Sequence, residues 1–264
     1  PNRLFELIGK KAQREIEEGD FLFQSDIDET KHHYYEFTFN RPFGVPVRYG
    51  DYLKMKSLSN INFVEFHLSY QDLEINNPID NFNDFGYSVH APELFENDHL
   101  LDLASLDENY RLESINYLEK TIKTAVNLKK YFNQSGNPIL ILNVGGWSQK
   151  GFLTQALIKQ KIDVLKKSLN QIDLSEIELS IQTMPPFPWH FGGQQYHNLF
   201  VDPEFIDSFC TETGFKICLD VSHSMMTCNY LKIDFLNDYY PKVKRHVNYM
   251  HIVDAKDVDC LLYT

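Results

Sequence analysis

A chain of 264 residues with 43% hydrophobic and 14% aromatic side chains can bury a sizeable core, which excludes a disordered polypeptide. Its formal net charge of -12 repels phosphate backbones, and its Lys and Arg are scattered, so no nucleic-acid partner is expected. No apolar run reaches the ~20 residues that span a bilayer, and the opening "PNRLFELIGKK" lacks the apolar centre of a signal peptide, so no membrane role is expected.

In chain order, residues 1–29 come first: a charged stretch with a Gly-Asp turn before a short apolar run, read as an end piece or linker. Residues 30–264 form the main domain. There, short apolar runs alternate with helical patterns: 34–39 "YYEFTF", 62–68 "NFVEFHL", 86–91 "GYSVHA", 138–144 "PILILNV", 177–183 "IELSIQT", 216–221 "KICLDV" and 248–253 "NYMHIV". Several are apolar almost throughout, as in parallel strands covered on both faces. Between the third and fourth runs, Leu112, Ile115, Leu118, Ile122, Ala125 and Val126 recur at helical spacing, with Ser105 and Glu108 placed as a capping box. Before the sixth run, Asp202, Pro203 and Gly214 mark a helix cap, first position and stop. Cys210, Cys218, Cys228 and Cys260 show no C-x-x-C spacing and read as reduced thiols of a cytoplasmic protein.

Seven strands alternating with helices predict an α/β fold, a (β/α)8 TIM-type barrel incomplete at its eighth strand, preceded by a short non-barrel segment. The chain begins mid-pattern and stops at "CLLYT", so it reads as a piece of a longer polypeptide. A doubly wound open sheet gives the same alternation. Against it, no G-x-G-x-x-G turn follows the first strand, and polar residues close many strands rather than one or two.

The chemistry of a parallel barrel sits where its strands end. The residues there are His67, His90, Asn143, Gln182, Asp220 with His223, and His251 with Asp254. A lone histidine such as His67 usually packs. Several imidazoles and carboxylates in one mouth call for a compensating cation or an anionic substrate. That donor mixture suits Zn, Mn, Fe or Co better than Mg or Ca. The loop 185–198, "PPFPWHFGGQQYHN", is read either as a lid offering Trp189, His190 and Tyr196 to a sugar or as a loop packed on its own aromatics. "NVGGW" at 143–147 is read as a turn, with anion binding by its backbone N–H groups as the alternative.

"YSVHAP", "LDVSHS" and "MHIVDA" resemble the strand-end signatures of the xylose isomerase-like TIM barrels, which include sugar-phosphate isomerases and epimerases and metal-dependent AP endonucleases. The resemblance covers about residues 34–259 and is strongest over 179–254. Separately, "LIGKKAQREIEEGDFLFQSDI" resembles the end of the antifreeze-like (SAF) domain that closes sialic acid synthases. Together the two resemblances imply the C-terminal part of a bifunctional protein of nonulosonic (sialic-type) acid synthesis, with a fused synthase upstream. They also imply that Asp220 and His251 bind a divalent metal, that His223 touches metal or substrate, and that His90 lines the pocket. His90 and His223 are then the catalytic candidates, and His67, His90, Asn143, Trp189, His190 and Tyr196 the substrate-binding ones. Gln182 stands where the family usually has a glutamate that binds the metal and acts as base; its amide oxygen can coordinate a cation but cannot serve as a base. No candidate for the family's second glutamate, on the eighth strand, is present. The expected function is a metal-binding isomerase or epimerase-like domain acting on a small sugar or sugar phosphate. Alternatives are a catalytically degenerate sugar-binding barrel assisting the synthase and, disfavoured by charge and by Gln182, an AP-endonuclease-type hydrolase.

Overall fold

The computed structural model describes residues 9–16, 26, 41–190 and 193–253, with backbone alone at 189, 190, 193 and 194. These residues belong to two compact units, 1–40 and 41–264. In that first unit the Arg14 Nε–H donates to Asp26 Oδ1 at 2.8 Å.

In the second unit, seven strands form one sheet: β1 (Gly44–Val47), β2 (Phe63–His67), β3 (Gly86–His90), β4 (Ile139–Leu142), β5 (Glu178–Gln182), β6 (Lys216–Asp220) and β7 (Val247–His251). Every neighbouring pair is parallel, and the order across the sheet is the order in the chain. A doubly wound sheet reverses its order at a switch point, so that alternative is excluded. The sheet curls far enough for non-adjacent strands to meet across the interior: Ser88 Oγ of β3 lies 2.8 Å from the Tyr249 hydroxyl of β7. This is an α/β sheet of the TIM-barrel type, with β1 and β7 not paired to each other among the described residues.

The described strands begin after the first expected run. Residues 34–39 lie outside the described residues, and β1 is the stretch "GVPV", which contains Pro46. Proline has no ladder N–H to give, and it is tolerated here because, among the described residues, β1 is an edge strand hydrogen-bonded to β2 alone.

The helices follow the sequence signals closely. Among the described residues they are α1 (Tyr52–Ser57), α2 (Glu108–Leu128), α3 (Gln155–Leu169), α4 (Pro203–Thr213), α5 (Val221–Leu231) and the one-turn α6 (Tyr240–Val243). Asp202 caps α4 by accepting the Phe205 N–H at 2.9 Å, and Gly214 stops it with φ 79°. The cap of α2 is a correction. Asp107, not Ser105, accepts the N–H groups of Asn109 and Tyr110 at 2.9 and 3.1 Å. Ser105 Oγ takes the Asp107 N–H instead, and the Glu108 carboxylate turns to the fully buried Arg111 guanidinium. Arg111 then ties α2 to the end of α3 through Ser168 and Gln171. Among the described residues no helix is long and apolar enough to cross a membrane.

Alternation along the strands separates two environments. Val64, Phe66, Val89, Leu140, Ile181 and Leu219 face the helices and join the apolar core with Leu118, Leu165 and Ile206. The opposite faces carry Glu65, Ser88, His90, Gln182 and Asp220: Gln182 bonds to His90 and Asp220, while Ser88 and Glu65 reach Tyr249 and His251 of β7. Stability therefore comes from the layer outside the sheet. Leu140→Ala is expected to cost about 2 to 5 kcal/mol, whereas the exposed Leu112→Ala should stay within about 0.5 kcal/mol; denaturant unfolding of both variants checks the contrast. Cys210, Cys218 and Cys228 are buried, and burial pushes their thiols up to about 12, 11 and 11. Alkylation of the native protein near neutral pH should spare all three and modify them only on unfolding, as read by peptide mass mapping.

Candidate functional site

Asp220 is the last residue of β6 and the cap of α5, so one carboxylate must serve both. Its Oδ1 accepts the His223 N–H at 3.0 Å and the Ser222 hydroxyl at 2.7 Å. That leaves Oδ2 for the neighbouring strands, where it accepts Gln182 Nε2–H at 3.1 Å and lies 3.4 Å from His251 Nδ1. Burial pushes this carboxyl up, but the charge at His223, the His251 hydrogen bond and the α5 contacts outweigh it and hold it below the ordinary range.

The turn into α5 also buries His223. A carbonyl can only accept, so His223 Nδ1–H donates to the Thr183 oxygen at 2.9 Å. That hydrogen bond fixes the tautomer and leaves Nε2 buried and, among the described residues, without a hydrogen-bond partner.

A second carboxylate, absent from the strand-end reading, sits at the centre of the network. Glu65 is 4% exposed in the middle of β2. Its Oε1 accepts His67 Nε2–H at 2.6 Å, and both its oxygens lie 3.0 Å from His251 Nε2. Burial pushes the Glu65 carboxyl up, but the hydrogen bonds from His251 and His67 overcome this and keep it ionised. His251 mirrors it: burial lowers its basicity, and its bonds to Asp220, Cys218 and Glu65 raise it well above the usual histidine value. The sequence does hold a signal for Glu65, a charged residue inside an apolar run and two before His67, hence on the same face.

Three imidazoles stack along this line. The ring centroids of His67 and His90 are 4.7 Å apart, and those of His90 and His251 are 5.7 Å apart with planes 19° from parallel. Burial and the charge at His67 lower the basicity of His90. Its Nδ1 faces the Ala91 carbonyl at 3.0 Å and its Nε2 faces Gln182 Oε1 at 3.1 Å. Gln182 therefore joins three partners: His90 through its oxygen, Asp220 and His251 through its nitrogen, at 3.1 and 3.3 Å. The chain thus brings His67, His90, Gln182, Asp220 and His251 together, with His223 one turn into α5. Among the described residues, no group of three or more His, Cys, Asp or Glu side chains is arranged to hold a metal ion.

The other expected residues belong to the loops after β4 and β5. Asn143 is buried, donating from Nδ2 to Glu93 at 3.2 Å and accepting the Gly145 N–H at 3.0 Å. Gly146 N–H goes to Asp102 Oδ1 at 2.9 Å, so the two glycine N–H groups of "NVGGW" are already used. Both glycines have positive φ, and a Cβ at Gly145 would meet Asp102 Oδ1 at 2.4 Å. Trp147–Ser148 pairs with Tyr196–His197 as a short ribbon, held by Asn198, whose Nδ2 donates to the Gly146 carbonyl and to Ser148 Oγ while its Oδ1 accepts the Leu153 N–H. Tyr196 lies against Phe152, with centroids 5.1 Å apart. Trp189–His190 pairs with Gly193–Gln194, and the roles expected of the Trp189 and His190 side chains fall outside the described residues, as does Asp254. Beside the ribbon residues Trp147 and His197, Glu93 and Asn143 help line a partly open pocket of about 20 Å³, room for one water molecule.

Comparison with known proteins places this geometry. Residues 57–259 match the family described as Xylose isomerase-like TIM barrel. Among solved structures, a D-tagatose 3-epimerase-like protein superposes with TM-score 0.56 at 17% identity, covering 83% of this chain and 78% of that one. A 3-keto-D-glucoside 4-epimerase from E. coli gives 0.54 at 11%, covering 80% and 78%. Endonuclease IV from Thermus thermophilus gives 0.51 at 13%, covering 81% and 77%. At these identities the structures share the fold. No curated protein matches the chain in sequence.

Asp220→Ala removes a helix cap and a buried acceptor together and is expected to cost about 2 to 4 kcal/mol. Asp220→Asn, which keeps an oxygen for the cap, should cost less; urea unfolding of the pair gives the order.

Proposed function

This chain belongs to the xylose isomerase-like TIM barrel family, and on that premise we propose that it is a metal-binding, isomerase or epimerase-like domain that takes a small sugar or sugar phosphate at the strand ends. The observation that carries the reading is the meeting of Gln182, Asp220 and His251 within 3.1 to 3.4 Å of one another at the ends of three adjacent strands.

The donor set fits a divalent cation of the Zn, Mn, Fe or Co type. Asp220 offers Oδ2, and His251 offers Nδ1 while its other nitrogen is engaged by Glu65. Gln182 fits when its amide is turned over. His90 donates its Nδ1–H to a carbonyl, so in its neutral form it presents a lone pair at Nε2 and is best met by the Gln182 N–H, which leaves the amide oxygen for the cation. A bound cation would polarise a sugar carbonyl or hydroxyl. The chain's own residues orient: the unpartnered His223 Nε2 is the nitrogen assigned here to a substrate hydroxyl.

Gln182 also favours a second reading, a barrel that binds its sugar without turning it over, because an amide cannot take a proton from carbon. The SAF-like stretch near the N-terminus, which overlaps the described residues 9–16 and 26, supports placing either activity beside a sialic-type synthase in the cytoplasm.

Metal content, calorimetric binding of sugar phosphates and solvent deuterium exchange into the bound sugar test the proposal. Stoichiometrically metal-free protein, with Asp220→Asn unchanged in every assay, would sink it. Binding without exchange selects the second reading. Gln182→Glu sets a second carboxylate against Asp220, so its melting temperature should fall in chelator and recover with Mn²⁺ or Zn²⁺.

A further inference from the structure

We propose that Glu65 is a positioning residue: it fixes His251 with Nδ1 as the donor nitrogen and supplies the second negative charge that a dication beside Asp220 requires. The inference rests on the metal-binding reading above and extends it to a residue on a different strand, outside the Gln182, Asp220 and His251 set.

Two observations carry it. The first is geometric. Both Glu65 oxygens lie 3.0 Å from His251 Nε2, so a proton on that nitrogen is held by a carboxylate on either lobe, and Nδ1 is the nitrogen turned toward Asp220 and Gln182. A ligating imidazole whose far N–H is bound by a carboxylate is fixed in both ring orientation and tautomer. The Tyr249 ring, perpendicular to His251 at 5.7 Å, closes the side of the slot.

The second is the charge balance. Asp220 carries one negative charge, the Gln182 amide carries none, and His251 adds none once a cation at Nδ1 displaces the proton that faces Asp220. A dication on these three donors would leave a net positive charge among groups that are 5% exposed at both Gln182 and Asp220. Glu65, itself 4% exposed, brings the sum to zero. It is held ready for this by His67, which donates to Oε1 at 2.6 Å and stacks on His90.

The experiment compares wild-type protein, Glu65→Gln and Glu65→Asp, each checked for folding by thermal melting without metal. Titration with Zn²⁺ or Co²⁺ is expected to show affinity about 10- to 100-fold weaker in Glu65→Gln, partly recovered in Glu65→Asp, and restored when Gln182→Glu returns a negative charge to the Glu65→Gln protein. Equal affinity in wild type and Glu65→Gln overturns the inference while leaving the metal site standing. Wild-type protein that takes up neither metal removes the metal-binding reading instead. A metal-independent measurement then decides the positioning role: in ¹⁵N-histidine spectra of metal-free protein, His251 should show a protected, carboxylate-bonded Nε2–H signal that Glu65→Gln abolishes. Persistence of that signal, or Nε2 as the metal-bound nitrogen in wild type, overturns it.

Discussion

The Asp220 carboxylate is the junction on which the mouth of the sheet depends. One oxygen starts α5 by satisfying the His223 N–H, and the other reaches sideways to the amide of Gln182 on the next strand. Because a carboxylate is planar and rigid, fixing the first oxygen fixes the second. The helix cap thereby sets the aim of the group that faces His251, and the depth of His223 follows from the same turn. The stability of α5 and the arrangement of the polar site are therefore one constraint.

Around that junction the molecule divides its tasks by face. Residues pointing from the strands to the helices form the apolar core, whereas those pointing inward at the strand ends form a chain of hydrogen bonds from His67 through Glu65 and His251 to Asp220. Buried charge on this scale is tolerable because each charged group has a partner of opposite sign or a donor. The outer layer supplies the stability that lets the inner face hold such a network.

The sequence carries the fold more openly than the site. Strands β2 to β7 are visible as apolar runs, and their sequential order is what alternating helices demand. β1 is hidden because Pro46 looks like a break, and only its edge position makes it harmless. Asp107 is masked as a cap because the capping-box spacing points to Ser105, and Arg111 decides where the Glu108 carboxylate goes. His90, Gln182, Asp220 and His251 are legible as strand-end residues. Glu65 is not, because a search confined to strand ends stops at His67, and the curl that carries β7 across to β2 is a tertiary property. The substitution of glutamine at 182 is plain in the sequence, but which way its amide faces depends on His90 and Asp220, neighbours on two other strands.

Asn198 joins two loops that leave different strands, bonding to the backbone at Gly146 and Leu153 and to the side chain of Ser148. The segments after β4 and β5 consequently act as a single mechanical part. Any redesign of what the mouth accepts must exchange both segments together, since grafting one alone would strand the polar groups that Asn198 now satisfies in the other. The unit of variation at this end of the fold is the clasped pair of loops.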